Sequence, residues 1–173
     1  MSRSPFLDIP PERWLAGNEL AFAISDRFPV SPGHALVIPR RLVATWFEAT
    51  AEEQRALMAL ARDVKELLEQ RLKPPPDGWN IGVNIGAAAG QTVPHLHVHL
   101  IPRWHGDVPD PIGGVRHVIP GRGNYLARAD ARGDLSTGHP NDPAYPPIEI
   151  DPQQVGDLRV IAEYVEVLEE SGT

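Results

Sequence analysis

Side chains alternate in character along three short segments of this chain, and a fourth is a short apolar run; a period of two residues and such short runs are both typical of β-strands. The segments cover residues 20–25, 35–39, 79–85 and 95–100. The first two flank the chain breaker Pro32-Gly33 and predict a hairpin with a wide loop. The last two flank the small-residue loop 86–90 and predict a second antiparallel hairpin.

A period of three and four residues follows Thr50 and predicts an amphipathic helix over about residues 50–72. Thr50 and Glu53 form a capping-box signature, and Lys73-Pro74 ends the pattern because proline cannot continue the hydrogen-bond ladder. A second helical pattern begins at Asp151-Pro152 and predicts a C-terminal helix to about residue 170. The apolar positions of the first helix are Leu57, Leu60, Ala61, Val64, Leu67, Leu68 and Leu72.

Residues 105–149 differ in composition from the rest, since they are rich in Gly, Pro and Asp with only short apolar pieces. Such a stretch is usually either a functional loop or a flexible segment. The predicted fold class is therefore α+β, an antiparallel sheet with a long helix packed on it. Residues 1–104 form the core, residues 105–150 a loop extension, and residues 151–173 a C-terminal helix of the same domain.

Composition narrows the class of protein. A chain of 173 residues with 42% hydrophobic and 23% charged residues is an ordinary globular domain. No apolar run approaches the roughly 20 residues of a membrane helix, and the N-terminus has no signal-peptide core. The absence of cysteine favours a cytoplasmic location and excludes thiolate chemistry. The net charge of −7 argues against a nucleic-acid polymer as partner but permits one small phosphorylated ligand.

Three histidines, His95, His97 and His99, alternate with large apolar residues, so on a strand they share one face. A buried strand that carries histidines by chance is one interpretation. A metal site is another, because neutral imidazole is a common ligand, although no cysteine is available to complete it. The third is nucleophilic catalysis at phosphorus by an imidazole whose other ring nitrogen is held as a donor.

The pattern Gln91-x-Val93-x-His95-x-His97-x-His99 closely resembles the histidine triad (HIT) superfamily of nucleotidyl hydrolases and transferases. The lead-in Gly90-Gln91-Thr92-Val93 and the exit Pro102-Arg103 look most like the branch of Fhit-type dinucleoside polyphosphate hydrolases. The segment from Pro32-Gly33-His34 to Pro39 extends the resemblance to about residues 18–104. A HIT-like fold is therefore expected.

The resemblance implies a role for each matching position. His97 is the expected nucleophile, His99 contacts phosphate oxygens, and His95 helps to orient the central imidazole. Gln91 binds an oxygen near the scissile bond, and His34 supports the triad. The remaining implied substrate-binding positions are Asp26 for the ribose hydroxyls, Asn84 for phosphate, Ile24 and Leu36 for the base, and Gly90, Thr92 and Val93 in the loop.

The implied reaction has two steps and releases a nucleoside monophosphate from a nucleoside polyphosphate, a dinucleoside polyphosphate or a phosphoramidate. No tightly bound cofactor is expected, although Mg²⁺ could accompany a polyphosphate. A homodimer is implied by resemblance alone. A nucleotidyltransferase or phosphorylase and a slow nucleotide-binding signalling module stay open as alternatives. His105, His117 and His139 are expected to be surface residues, and Arg103 either a phosphate ligand or a solvated strand end.

Overall fold

The α+β class is confirmed by a computed structural model, which describes residues 4–124. Within these residues, five strands form one antiparallel sheet in the order β1-β2-β3-β5-β4, and one α-helix, α1, covers one side of it. The elements are β1 (Ala16–Gly17), β2 (Ala21–Ser25), β3 (Ala35–Pro39), α1 (Ala51–Arg71), β4 (Gly78–Gly82) and β5 (Val98–Arg103). The predicted C-terminal helix and most of the loop extension lie outside the described residues.

The predicted hairpin of residues 20–39 is confirmed. Strands β2 and β3 pair antiparallel with Ile24 opposite Leu36, and the turn between them contains Pro32-Gly33. Strand β3 then pairs with β5, with Leu36 opposite His99. This register places the aliphatic side chains of the hairpin and the last histidine of the triad on one face of the sheet.

The second predicted hairpin exists, but its bounds were wrong. Strand β4 ends at Gly82 instead of continuing to residue 85, and β5 begins only at Val98. His95 and His97 therefore precede the strand, and residues 83–97 make a long connection in place of a tight loop. The apolar alternation still holds, because Leu96, Val98 and Leu100 are all buried on the helix side.

Helix α1 begins as its sequence predicts. The hydroxyl of Thr50 accepts from the amide of Glu53, and the Glu53 carboxylate accepts from the amide of Thr50, which completes a capping box. One face of the helix is buried against the sheet, and this burial explains why apolar residues recur every three or four positions along it. The buried apolar residues of α1 are Leu57, Leu60, Ala61, Val64 and Leu68.

The opposite face of the sheet carries a second, smaller apolar cluster. Phe22, Ile24, Leu36 and Ile38 are buried there. They are covered by residues of the N-terminal segment, which contains short 3₁₀ turns at Pro5–Asp8 and Pro11–Arg13. The segment packs through Phe6, Ile9 and Trp14. This is the face on which His99 lies.

An ion pair joins the start of α1 to the segment after β3. The Nε and Nη2 atoms of Arg41 donate to the Glu53 carboxylate at 2.8 and 2.7 Å, and Glu53 is only 5% exposed. This contact lowers the pKa of Glu53, the hydrogen bond from Arg41 being the main cause. The backbone of Arg41 also reaches the histidine segment, as described below.

We expect Arg41→Met to lower the free energy of unfolding, because it leaves the buried carboxylate of Glu53 without its cation. Urea unfolding monitored by circular dichroism measures the change. The matched control is Arg62→Met, since Arg62 is exposed and lies on the solvent side of α1. An equal effect of the two substitutions would contradict this role of Arg41.

Residues 105–124 follow β5 as turns with a 3₁₀ segment at Gly114–Val118. His105 and His117 are exposed, as predicted, whereas His139 lies outside the described residues. No helix within residues 4–124 is both long and apolar enough to cross a membrane.

Candidate active site

The central histidine, His97, has one ring nitrogen in a hydrogen bond and one without a hydrogen-bond partner among the described residues. Nδ1 of His97 lies 2.7 Å from the carbonyl oxygen of His95. A carbonyl only accepts, so Nδ1 carries the proton and Nε2 of the neutral ring is a bare lone pair. Within the described residues no hydrogen bond engages Nε2, and the side chain is 8% exposed. His97 therefore presents a nucleophilic nitrogen.

The third histidine presents a donor beside it. Nε2 of His34 lies 3.0 Å from Nδ1 of His99, and the backbone amide of Val30 points to Nδ1 of His34 at 3.4 Å. This amide assigns the His34 proton to Nε2, so His99 accepts at Nδ1 and carries its own proton on Nε2. That Nε2 is buried and lacks a partner among the described residues. An N–H group without an acceptor suits a phosphate oxygen.

His34 is placed by the turn before it. Gly33 has φ +79°, and a side chain there would approach a methyl of Leu72 to 2.8 Å. Only glycine meets both conditions without strain. The turn sets His34 at 4% exposure with its ring tilted against that of His99, at a centroid distance of 5.2 Å.

Asp26 lies beside His34. Its Oδ1 accepts from the amide of Phe28 at 2.8 Å, and its Oδ2 lies 3.5 Å from Nδ1 of His34. The carboxylate thus acts as a turn residue and faces the supporting histidine as well. The Asp26 backbone amide donates to the carbonyl of His34, so the two residues are joined twice.

The first histidine of the triad, His95, has its own set of buried hydrogen-bond partners. The ring of His95 is fully buried, with Nε2 2.9 Å from the carbonyl of Pro39 and Nδ1 2.7 Å from the hydroxyl of Ser4. The prediction that His95 and His97 lie within the same strand as His99 was wrong, because β5 begins at Val98. The His95 ring nevertheless lies 5.9 Å from the ring of Phe6, which packs on the sheet face that carries His99. His95 contacts His97 through its backbone carbonyl.

Gln91 shapes the loop before the triad. Its Oε1 accepts from the amide of Gly86 at 2.8 Å, and its Nε2 donates to the carbonyls of Ala44 and Val93 at 2.7 and 3.2 Å. Gly90 has a left-handed conformation, with φ +82°. The side chain of Gln91 therefore ties this loop to the segment after β3.

The other predicted residues surround this group. Ile24 and Leu36 lie on the face of His99, are 6% and 5% exposed, and belong to the cluster that Phe6 covers. Asn84 is half-buried just after β4, Thr92 is exposed and Val93 is half-buried. The structure thus brings together the histidines, Asp26 and the aliphatic pair, with the loop residues nearby in sequence.

Burial governs the charge of three of these histidines. Desolvation lowers the pKa of His34, against the attraction of Asp26. Desolvation also lowers the pKa of His95. Burial, with smaller effects of His97 and His34, lowers the pKa of His99 to about 4. These rings are therefore neutral near pH 7, as the tautomers above require.

A metal site was one interpretation of the histidines, and residues 4–124 contain one cluster of side chains that could hold a metal ion. Ligand atoms of Asp26, His34 and His99 lie within 4.8 Å of one another. Two of these residues are also joined directly, since Nε2 of His34 lies 3.0 Å from Nδ1 of His99.

Two contacts of the triad come from a segment that the sequence pattern treats as irregular. The Ser4 hydroxyl meets His95, and the Phe6 ring lies edge-on to His97 with centroids 5.2 Å apart. Ser4 is 91 residues from His95 in the chain, so no local pattern could reveal the contact. The only local signal is the helix-start sequence Ser-Pro.

Known proteins match this region. A sequence model of the HIT domain matches residues 10–106. The AP-4-A phosphorylase of Mycobacterium tuberculosis is 37% identical over 109 residues, which cover 60% of this chain and 55% of that protein. The asymmetrical bis(5'-nucleosyl)-tetraphosphatase of Schizosaccharomyces pombe is 40% identical over 90 residues, which cover 52% and 48%. The chain spans about half of the length of such curated relatives.

Solved structures agree. A hypothetical histidine triad nucleotide-binding protein from Sulfolobus tokodaii superposes with a TM-score of 0.51 at 39% identity, covering 57% of this chain and 64% of that one. The matched region contains His34, the three triad histidines and Asp26. The chain belongs to the HIT domain family.

Proposed function

We propose that this protein is a nucleotidyl hydrolase that acts at the α-phosphate of a dinucleoside polyphosphate or a related adenosine nucleotide. The observation that carries the proposal is the tautomer of His97. Its Nδ1–H group is fixed on the carbonyl of His95, so its Nε2 lone pair is available beside the unpartnered Nε2 of His99. A lone pair next to a donor is what attack on a phosphate group needs.

The first step transfers the nucleotidyl group to His97. Nε2 forms a bond to the α-phosphorus, and the P–O bond to the leaving phosphate or nucleotide breaks with its electron pair going to that oxygen. The positive charge that develops on the ring is stabilised by the His95 carbonyl. His99 donates to a non-bridging phosphate oxygen. The product is a nucleotidyl-histidine.

The second step is hydrolysis of this phosphoramidate. A water oxygen attacks phosphorus, the N–P bond breaks, and the ring returns to its neutral form as the nucleoside monophosphate leaves. Because the leaving group has departed before water acts, one site can process several polyphosphates and phosphoramidates.

The nucleoside would bind along the face of the sheet that carries His99. We place the base against Ile24, Leu36 and Phe6, and the ribose hydroxyls near the Asp26 carboxylate. Asn84, Gly90, Thr92 and Val93 would contact the phosphate chain, and Mg²⁺ could accompany it. Gln91 would act first through the loop that it holds, since its amide is bonded to backbone groups.

A phosphorylase is a second candidate, favoured by the 37% identity to the protein named AP-4-A phosphorylase. In that case inorganic phosphate would resolve the nucleotidyl-histidine and the product would be a nucleoside diphosphate. Both candidates share the first step.

A product assay separates the two. We expect diadenosine tri- and tetraphosphate and adenosine phosphoramidate to yield AMP, and H₂¹⁸O to place one ¹⁸O atom in AMP, because water attacks phosphorus in the second step. Chromatography with mass spectrometry, with and without added phosphate, measures this. The deciding substrate is diadenosine tetraphosphate, because its hydrolysis releases AMP and ATP but no ADP. ADP formed from it only with phosphate would identify the phosphorylase, and no turnover of any substrate would refute both.

We also propose a homodimer in solution. Strand β4 is at the edge of the sheet, and Ile81 on it is 43% exposed. An edge strand with an exposed aliphatic side chain is suited to pairing with a second copy. Light scattering of the full chain tests this, and a monomer mass at all concentrations would refute it.

A further inference from the structure

We propose that Ser4 is a positioning residue of this active site. Its hydroxyl holds the His95 ring in one tautomer and so fixes the peptide carbonyl that aligns the His97 nucleophile. The kinetic part of this inference rests on the proposed function. Ser4 lies outside the residues that match the HIT domain.

The contacts of His95 determine its tautomer. Nε2 lies 2.9 Å from the carbonyl of Pro39 and 3.2 Å from the carbonyl of Arg41. Both oxygens only accept, so the ring proton is on Nε2. Nδ1 is then an acceptor, and the Ser4 hydroxyl at 2.7 Å must donate to it. The polar atoms of the ring are thereby fully satisfied.

Burial makes this hydroxyl hard to replace. His95 is 0% exposed and Ser4 is 4% exposed. Without the hydroxyl, the Nδ1 lone pair would be buried and unpaired, which is costly. The other tautomer would be no remedy, because it would turn a bare Nε2 towards two carbonyls. The ring would have to move instead.

Movement of His95 would reach His97 directly. The His95 carbonyl is the acceptor for Nδ1 of His97 at 2.7 Å, and the His95 amide donates to the carbonyl of Val93. Ring and carbonyl belong to one residue, so a displaced ring shifts the carbonyl that sets the angle of the nucleophile. Small displacements of a reacting group are costly in rate.

Ser4 also sets the position of Phe6. Its Oγ accepts from the Phe6 amide at 3.3 Å and caps the 3₁₀ turn Pro5–Asp8. One hydroxyl can do both, since its proton goes to His95 and a lone pair faces the amide. Phe6 then lies edge-on to His97. The N-terminal segment is thereby connected to the nucleophile from two sides.

We expect Ser4→Ala to lower kcat by about 10-fold or more with KM changed by less than about threefold, because alignment rather than substrate binding is lost. Ser4→Thr, which keeps the hydroxyl, should recover most of kcat. The matched control is Thr45→Ala, which removes a comparable 3₁₀ cap, Thr45 Oγ1 accepting from Glu48 at 3.3 Å, and touches no histidine. All rates are measured well below each variant's Tm.

A readout independent of activity is the ¹⁵N spectrum of the histidine rings. The full chain should show His95 as a neutral Nε2–H ring, and Ser4→Ala should shift its Nδ1 resonance. An Nδ1–H tautomer of His95 in the unsubstituted protein, or a Ser4→Ala variant with unchanged kcat and spectrum, would overturn the inference. Full activity of His97→Ala would instead refute the proposed function, so the two failures are distinguishable.

Discussion

Replacement of His97 by alanine is expected to reduce release of nucleoside monophosphate by about 10⁴-fold or more, with the fold unchanged. In the proposed mechanism His97 forms the covalent bond to phosphorus, and loss of a nucleophile removes the whole two-step route. The measurement is AMP release under saturating diadenosine triphosphate. A rapid quench in alkali, in which a nucleotidyl-histidine is stable, of the unsubstituted protein with α-labelled substrate should trap label on His97.

The matched control for this substitution is His105→Ala, since His105 is exposed after the end of β5. It should keep full activity and show no difference in labelling. Circular dichroism of His97→Ala should equal that of the unsubstituted chain, because within residues 4–124 the His97 side chain makes one hydrogen bond, to the carbonyl of its neighbour His95. Retained turnover in His97→Ala would eliminate the covalent mechanism.

Stability is expected to fall as the pH drops below about 6.5, before the carboxylates titrate. The pKa of His99 is lowered from 6.5 to about 4, and the pKa values of His34 and His95 are lowered as well. Between pH 6.5 and pH 4 these histidines are protonated in the unfolded chain but stay neutral in the folded chain. The neutral rings therefore contribute stability above pH 6.5 that is lost on acidification.

For His99 alone the loss is about 2 kcal/mol at pH 5. Urea unfolding at pH 7.5, 6.5, 5.5 and 5.0 measures it through the midpoint of the transition. The comparison is His99→Asn, which removes one of the titrating rings and should flatten the dependence on pH. A midpoint that stays constant between pH 7.5 and 5.0 would show that these rings are protonated freely in the folded state.

The sequence alone was sufficient for the fold class, for the β2–β3 hairpin and for α1. These elements depend on neighbours in the chain. Thr50 and Glu53 cap the helix within one turn, and Pro32-Gly33 makes a turn between two short strands. The alternation of Leu96, Val98 and Leu100 also identified the core side of the histidine segment, because period is a local property.

The histidine pattern by itself left three chemistries open, and the resemblance to the HIT superfamily was needed to choose among them. It selected His97 as the nucleophile before any distance was known. The pattern placed all three histidines within one strand, however, and that was wrong for His95 and His97, because β5 begins at Val98. Alternation in sequence does not show where the hydrogen-bonded ladder starts.

Only the tertiary structure decided how the site is held. The proton on His97 is assigned by the His95 carbonyl, and the proton on His99 by a relay through His34. The His95 ring is fixed by Ser4, 91 residues away. Hydrogen bonds between distant segments depend on how the sheet, the N-terminal turn and the β2–β3 loop pack together, and no periodicity in the chain encodes that. The sequence identified the residues that we propose carry the chemistry, and the packing decided which nitrogen of each ring is without a partner among the described residues.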